Sequence, residues 1–194
     1  MLKLILNKKY NPLFSSDARY FIITGGRGSG KSFAVTVFLT LLTMTKGIRI
    51  LFTRFTMTSA HLSIIPEFLE KIGLLGFDEV FSINKAEVVN TSNQSDILFR
   101  GIRTSAGNQT ASLKSLQGIS TWVLDEAEEL VDENIFDTID LSIREKNIHN
   151  RVVLILNPVT KEHWIYKRFF EDKGVEGGFN GFKDNVCYIH TSYL

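Results

Sequence analysis

The chain has 194 residues, of which 44% are apolar and 22% charged, with a formal net charge of +1. These values suit one ordinary globular domain and exclude a disordered chain, while a near-neutral total neither requires nor forbids a nucleic-acid partner, since that needs only a local basic patch. The single cysteine, Cys187, excludes an internal disulfide framework and points to a reduced, intracellular setting.

The opening MLKLILNKKY turns polar too soon for a signal peptide, and no apolar run reaches membrane-spanning length. RYFIIT (19–24) predicts a buried strand stopped by glycines, and KSFAVTVFLTLLTMTK (31–46) a helix buried on more than one face. IRILFT (48–53) predicts a second strand. TSAHLSIIPEFLEKIGLLG reads as a helix capped by Thr58 or Ser59, with Gly73 near its end. EVFSI, EVVN and DILFRGI, within 79–104, read as shorter strands. STWVLDEAEEL (120–130) runs apolar and then abruptly acidic, and a helix is expected over about 132–146. RVVLILNP (151–158) predicts a further buried strand ended by Asn157-Pro158. EHWIYKRFFED then predicts a short aromatic helix, VEGGFNGF a loop, and NVCYIHTSYL a final strand running to the chain end. Apolar strands alternating with helices indicate an α/β fold with a mainly parallel central sheet flanked by helices.

Gly25-Gly26-Arg27-Gly28-Ser29-Gly30-Lys31-Ser32 fits G-x-x-x-x-G-K-[ST] between a strand and a helix, the context in which that pattern forms a phosphate-binding P-loop. Glycines allow positive φ and close approach to a ligand, and backbone N–H groups at a helix start converge on phosphate oxygens. In that reading Lys31 meets the β- and γ-phosphates and the Ser32 hydroxyl holds Mg²⁺. Asp125 closes an apolar strand, where an acid can hold Mg²⁺, and Glu126 beside it can take a proton from an attacking water. INKAE (83–87) resembles the guanine-reading motif of GTPases, but it ends in Glu and precedes the acidic strand, so a turn is expected there and GTP specificity is not supported.

Taken in order, GGRGSGKS, RILFTRFT, ILFRGI with LKSLQGISTWVLDEAEEL, LILNPVTKEHWIYKRFF and CYIHTSYL resemble the ATPase domain of tailed-phage large terminase subunits over roughly 19–194. The resemblance implies a P-loop NTPase of the additional-strand Glu (ASCE, RecA-like) type, spanning 1–194 as one domain with 1–18 on the adenine side. It implies ATP hydrolysis that drives double-stranded DNA into a procapsid in the host cytoplasm during virion assembly. The implied partners are a portal protein, a small terminase subunit and further copies of the chain in a pentameric ring, with no membrane. The family's metal-dependent nuclease domain is expected to be absent, because the chain stops where that domain should begin.

By resemblance Gly25–Ser32 bind phosphates, Ser32 and Asp125 hold Mg²⁺, Glu126 activates water and Asn157 is the coupling or sensor residue. Arg27 in cis, Lys114 in trans and Arg103 are candidates for the cationic finger, and Arg54 either lines the pocket or braces the fold. Tyr10, Asn11, Phe14 and Arg19 are offered for the adenine side. His61, His149, His163 and His190 lack metal-ligand spacing, and Trp164, Tyr166, Phe169 and Phe170 are read as a core face. Two other readings stand beside this one. A helicase or repair-type DNA-dependent ATPase needs a second core that 194 residues do not hold. A nucleotide-binding assembly or switch module would bind ATP without turning it over alone.

Overall fold

The computed structural model describes residues 4–57, 60–104, 107–108, 113 and 115–192. Ten strands form one sheet in the order β3-β4-β5-β2-β7-β8-β1-β10-β9, with β6 (Gly107–Asn108) paired to β5. Its centre is parallel: β5 (Asp96–Thr104), β2 (Arg49–Thr56), β7 (Thr121–Asp125), β8 (Arg151–Leu156), β1 (Tyr20–Gly25) and β10 (Val186–Thr191). The antiparallel edges are β3 (Phe81–Ile83) with β4 (Glu87–Asn90) on one side and β9 (Gly181–Lys183) on the other.

Successive side chains of a strand point to opposite faces, so each central strand supplies two cores. On one face Phe21, Ile23, Phe52, Val123, Val153 and Cys187 pack under α1 (Asn11–Ser15), α2 (Lys31–Leu42) and α3 (Ala60–Leu75). On the other, Ile22, Leu51, Trp122, Leu124 and Leu154 meet α4 (Glu133–Asp140) and α5 (Trp164–Tyr166), which continues as a wider π-type turn over Lys167–Glu171. That wider turn lets the consecutive Phe169 and Phe170 both reach the core. Trp164 is buried with them, as expected of a core face.

The predicted elements are all present, with differences at their ends. Gly73 lies near the end of helix α3, as expected, but does not terminate it. Gly76, at φ 71°, ends it, and Phe77 N–H closes back on Ile72 O. The proposed caps Thr58 and Ser59 lie outside the described residues. Helix α4 stops at Asp140 rather than near 146, because the Arg19 guanidinium donates to the Asp140 and Ile143 carbonyl oxygens and pairs with the Asp140 carboxylate at 2.6 Å. Gly181 and Phe182, expected to be loop, pair with β10 as part of β9, and β10 itself ends at Thr191. INKAE forms the expected turn: Asn84 Oδ1 accepts from Ala86 N and Glu87 N.

Strand β8 stands between β1 and β7, so the glycine-loop strand and the acidic strand are separated by one additional strand. This is the ASCE, RecA-like arrangement. Parallel strands also bring the carboxyl ends of β1, β8, β7 and β2 to one edge of the sheet, where α/β folds place their ligands.

Candidate active site

The glycine loop leaves β1 through a backbone that only glycine tolerates. A β-carbon on Gly25 (φ 155°) would lie 2.2 Å from the Thr191 carbonyl oxygen. Gly30 starts α2 in the left-handed region at φ 81°. The loop is braced from below. Tyr10 Oη donates to Ser29 O at 3.2 Å and lies 3.4 Å from Thr191 Oγ1, and Thr191 Oγ1 lies 3.1 Å from Ser29 Oγ.

Lys31 is buried and turned back onto its own loop. Its Nζ donates to Gly25 O at 2.5 Å and Gly26 O at 2.9 Å, with Asn157 Oδ1 at 3.5 Å. Burial pushes the ammonium below the ordinary lysine value, opposed by the Glu128 and Asp125 carboxylates. Those loop carbonyls hold the lysine where a phosphate group can draw it away.

Strand register lines up the acidic pair with the loop: Thr24 pairs with Leu156, and Ile155 with Asp125. Asp125 is buried, and Arg54 at the end of neighbouring β2 holds it. Arg54 Nε donates to Asp125 Oδ2 at 2.8 Å, Nη2 lies 2.6 Å from the same oxygen, and Nε is 3.6 Å from Glu126 Oε2. Burial opposes the Arg54 charge, but Asp125 and Glu126 outweigh it and raise the arginine's pKa. Glu126 adopts φ 53°, ψ 46°, a left-handed conformation that costs a non-glycine residue about 1–2 kcal/mol. That turn swings the chain off the strand so that Glu126, Glu128 and Glu129 all line the cleft. Burial raises the Glu126 pKa, with Arg54 opposing and the neighbouring carboxylates adding.

The cleft has a volume of about 460 Å³, within the usual range of ligand sites. It gathers Arg27, Gly28, Ser29, Gly30, Lys31, Ser32, Arg54, Asp125, Glu126 and Asn157 along one wall or another. Gly25 and Gly26 contribute the carbonyls that hold Lys31. Arg27 is exposed and makes no hydrogen bond or ion pair with another described residue. Both Arg54 contacts with Asp125 fall on Oδ2, and no hydrogen bond from a described residue reaches Oδ1. A carboxylate and a hydroxyl (Ser32) on one cleft are hard oxygen donors of the kind Mg²⁺ takes.

Several expected residues are placed elsewhere. Tyr10 is 3% exposed and spent on bracing the loop, so its ring cannot stack on a base. Phe14 packs edge-on against Phe38 at 5.3 Å, and Asn11 opens α1; neither lines the cleft. Arg19 sits at the amino end of β1, the far edge of the sheet, in its ion pair with Asp140. Arg103 is exposed on β5 opposite Thr56, away from the cleft. Lys114 and the His61 side chain lie outside the described residues. His149, His163 and His190 are hydrogen-bonded to Ala18 O, Glu128 O and Thr24 Oγ1, and no group able to hold a metal through three His, Cys, Asp or Glu side chains exists among the described residues.

No sequence pattern singles out Glu128, although its carboxylate takes both N–H groups of Asn157. Its partner is 29 residues away, and only the pairing of β7 with β8 brings the two together.

Comparison with known proteins agrees with this geometry. The model of the phage terminase large subunit family matches residues 17–194. The terminase large subunit of Bacillus phage SPP1 is 23% identical over 217 residues, covering 100% of this chain and 49% of its own length. The chain thus spans about half the length of the curated relative it matches. Among solved structures, the large terminase of a thermophilic bacteriophage superposes with a TM-score of 0.73 at 13% identity, over 97% of this chain and 46% of its own. Two further structures of that protein hold ADP and ATP-γ-S. The N-terminal domain of the DNA-packaging ATPase from bacteriophage phi29 superposes with a TM-score of 0.68 at 15% identity, over 93% of both chains. With its family pattern matched over nearly its whole length and its fold shared with these ATPases, the chain belongs to the phage terminase large subunit family.

Proposed function

We propose that this chain hydrolyses ATP and that the hydrolysis drives double-stranded DNA into a procapsid. The observation that carries the reading is the meeting, in one cleft at the carboxyl edge of the sheet, of Lys31, the Asp125–Glu126 pair and Asn157. The nucleotide complexes of the thermophilic-phage relative support ATP as the ligand.

In this reading the N–H groups at the start of α2 and the loop cradle the phosphates, and Lys31 leaves the Gly25 and Gly26 carbonyls to meet them. Ser32 and Asp125 would hold Mg²⁺, which supplies charge neutralisation at the phosphates when bound. Glu126 takes the proton of the attacking water. Its burial-raised pKa makes it a better base than an ordinary glutamate, and Arg54 keeps the neighbouring Asp125 in place. Arg27, exposed and unengaged by the described residues, is the cation free to reach the transferring phosphate in cis. Lys114 is the proposed trans counterpart on a neighbouring copy. The partners proposed are DNA, a portal protein, a small terminase subunit and four more copies in a ring, in the host cytoplasm.

The test is steady-state ATP hydrolysis by the purified chain over a protein-concentration series, beside Glu126→Gln. Wild-type turnover should fall at least about 100-fold in Glu126→Gln while nucleotide affinity stays within about threefold. Tight ATP binding with no turnover at any concentration would overturn hydrolysis by this chain and leave a nucleotide-binding switch.

A further inference from the structure

Glu128 controls an amide that the proposed chemistry uses. Its Oε1 accepts from Asn157 Nδ2 at 2.5 Å, and its Oε2 lies 3.3 Å from Asn157 N. One carboxylate therefore holds both N–H groups of that residue. Glu128 is itself anchored. Its carbonyl oxygen lies 3.2 Å from His163 Nε2, and His163 Nδ1 accepts from Ile165 N, which leaves the ring proton on Nε2 to donate to Glu128.

Donor and acceptor chemistry then fixes the amide. An ionised carboxylate offers only acceptors, so the Asn157 NH₂ must face Glu128. Lys31 offers only donors, so the Asn157 oxygen must face Lys31, 3.5 Å away. Two neighbours from different elements impose one orientation, and flipping the amide would oppose like groups on both sides at once.

We infer that Glu128 is a positioning residue for hydrolysis: it holds the Asn157 amide with its oxygen, not its NH₂, turned to Lys31 and the phosphate side of the cleft. This rests on the reading of the cleft as an ATPase site. An oxygen aimed at that side cannot donate to a phosphate. It accepts, first from Lys31 while the lysine is folded onto the loop, and then from the attacking water once Lys31 has turned to the phosphates. Glu128 thus makes Asn157 an acceptor that helps orient the water for Glu126, and couples it to where Lys31 stands.

The experiment is a double-mutant cycle on the full chain, Glu128→Ala with Asn157→Ala, read as kcat and KM for ATP. Each single variant should lower kcat about 10- to 100-fold, as expected for a lost hydrogen bond to a charged group, with KM within about threefold. The double variant should be no slower than the slower single variant within about twofold, because Glu128 acts through Asn157. Glu128→Gln keeps one acceptor but sets an NH₂ against the Asn157 N–H, so it should fall between wild type and Glu128→Ala. Losses that multiply in the double variant, or that appear in KM alone, would overturn the assignment. A second readout does not depend on turnover: the ¹H–¹⁵N resonances of the Asn157 side chain and main chain in the nucleotide-free protein. Both should move to solvent-like positions in Glu128→Ala, and by less in Glu128→Gln, while the rest of the spectrum stays. Asn157 resonances that do not move overturn the inference even if the wild-type chain proves inactive. Wild-type inactivity with the predicted movement overturns the ATPase reading, and with it the role in hydrolysis, while the Glu128-held orientation of the Asn157 amide stands.

Discussion

Gly25 and Gly26 are adjacent, yet a β-carbon meets the Thr191 carbonyl oxygen at 2.2 Å on the first and nothing within 4 Å on the second. Gly25 is also at φ 155°, within the region that favours glycine, whereas Gly26 is not at positive φ. The contact is with main chain of β10, so it cannot be relieved by turning a side chain aside. Gly25→Ala must push the loop off β10 and take a strained conformation, at an expected cost of at least about 1–3 kcal/mol. Gly26→Ala should change stability by less than about 0.5 kcal/mol. Urea unfolding midpoints of the two variants check this. Equal midpoints would show that the loop does not rest on Thr191. Glycine density alone marks the loop in the sequence, but which glycine is indispensable depends on a strand far along the chain, and no local pattern carries that.

At the level of elements, the N-terminal segment is a prop for the glycine loop. The short 3₁₀ turn Lys8–Tyr10 leads into α1, and Tyr10 lies buried with its hydroxyl between Ser29 O and Thr191 Oγ1. Burial raises the Tyr10 pKa, so the phenol stays protonated and able to donate throughout the neutral range. Tyr10→Phe should cost about 0.5–1.5 kcal/mol for the lost hydrogen bond. It should also weaken nucleotide binding severalfold, since Ser29 loses its support. Denaturant melts and a fluorescent-nucleotide titration measure the two effects, and unchanged affinity would separate the brace from the site. Position just upstream of the loop makes Tyr10 a candidate in the sequence, and it does touch the loop. Whether an aromatic ring there faces a base or a core is not legible, because both need the same apolar surface. Element ends are hidden for a similar reason. Nothing within 132–146 announces that Arg19, just before β1, takes up the carbonyl of Asp140, the last residue of α4, and that of Ile143 beyond it. The strands, by contrast, are legible because those buried on both faces read as unbroken apolar runs.

For the whole molecule, the distribution of charge matters more than its sum. The chain carries +1 overall, yet the cleft is lined by four carboxylates (Asp125, Glu126, Glu128, Glu129) against three cations (Arg27, Lys31, Arg54). One of those cations, Arg54, is bound to Asp125, and another, Lys31, is folded onto the Gly25 and Gly26 carbonyls. A cleft so balanced repels a polyphosphate unless a divalent cation comes with it. Composition hides this, because the four acids of the cleft fall within one short run, 125–129, while its cations come from the glycine loop and from β2. Removing divalent cations with a chelator should therefore weaken ATP binding by at least about tenfold, far more than a simple change of ionic strength does. Asp125→Asn should take away much of that divalent dependence, since it removes the carboxylate charge that would hold the ion beside Ser32. A titration of labelled ATP with and without Mg²⁺, for wild type and Asp125→Asn, decides the point. Affinity that ignores the divalent cation in the wild type would mean that Lys31 and Arg27 suffice for the phosphates, and that Asp125 is held by Arg54 for structure alone.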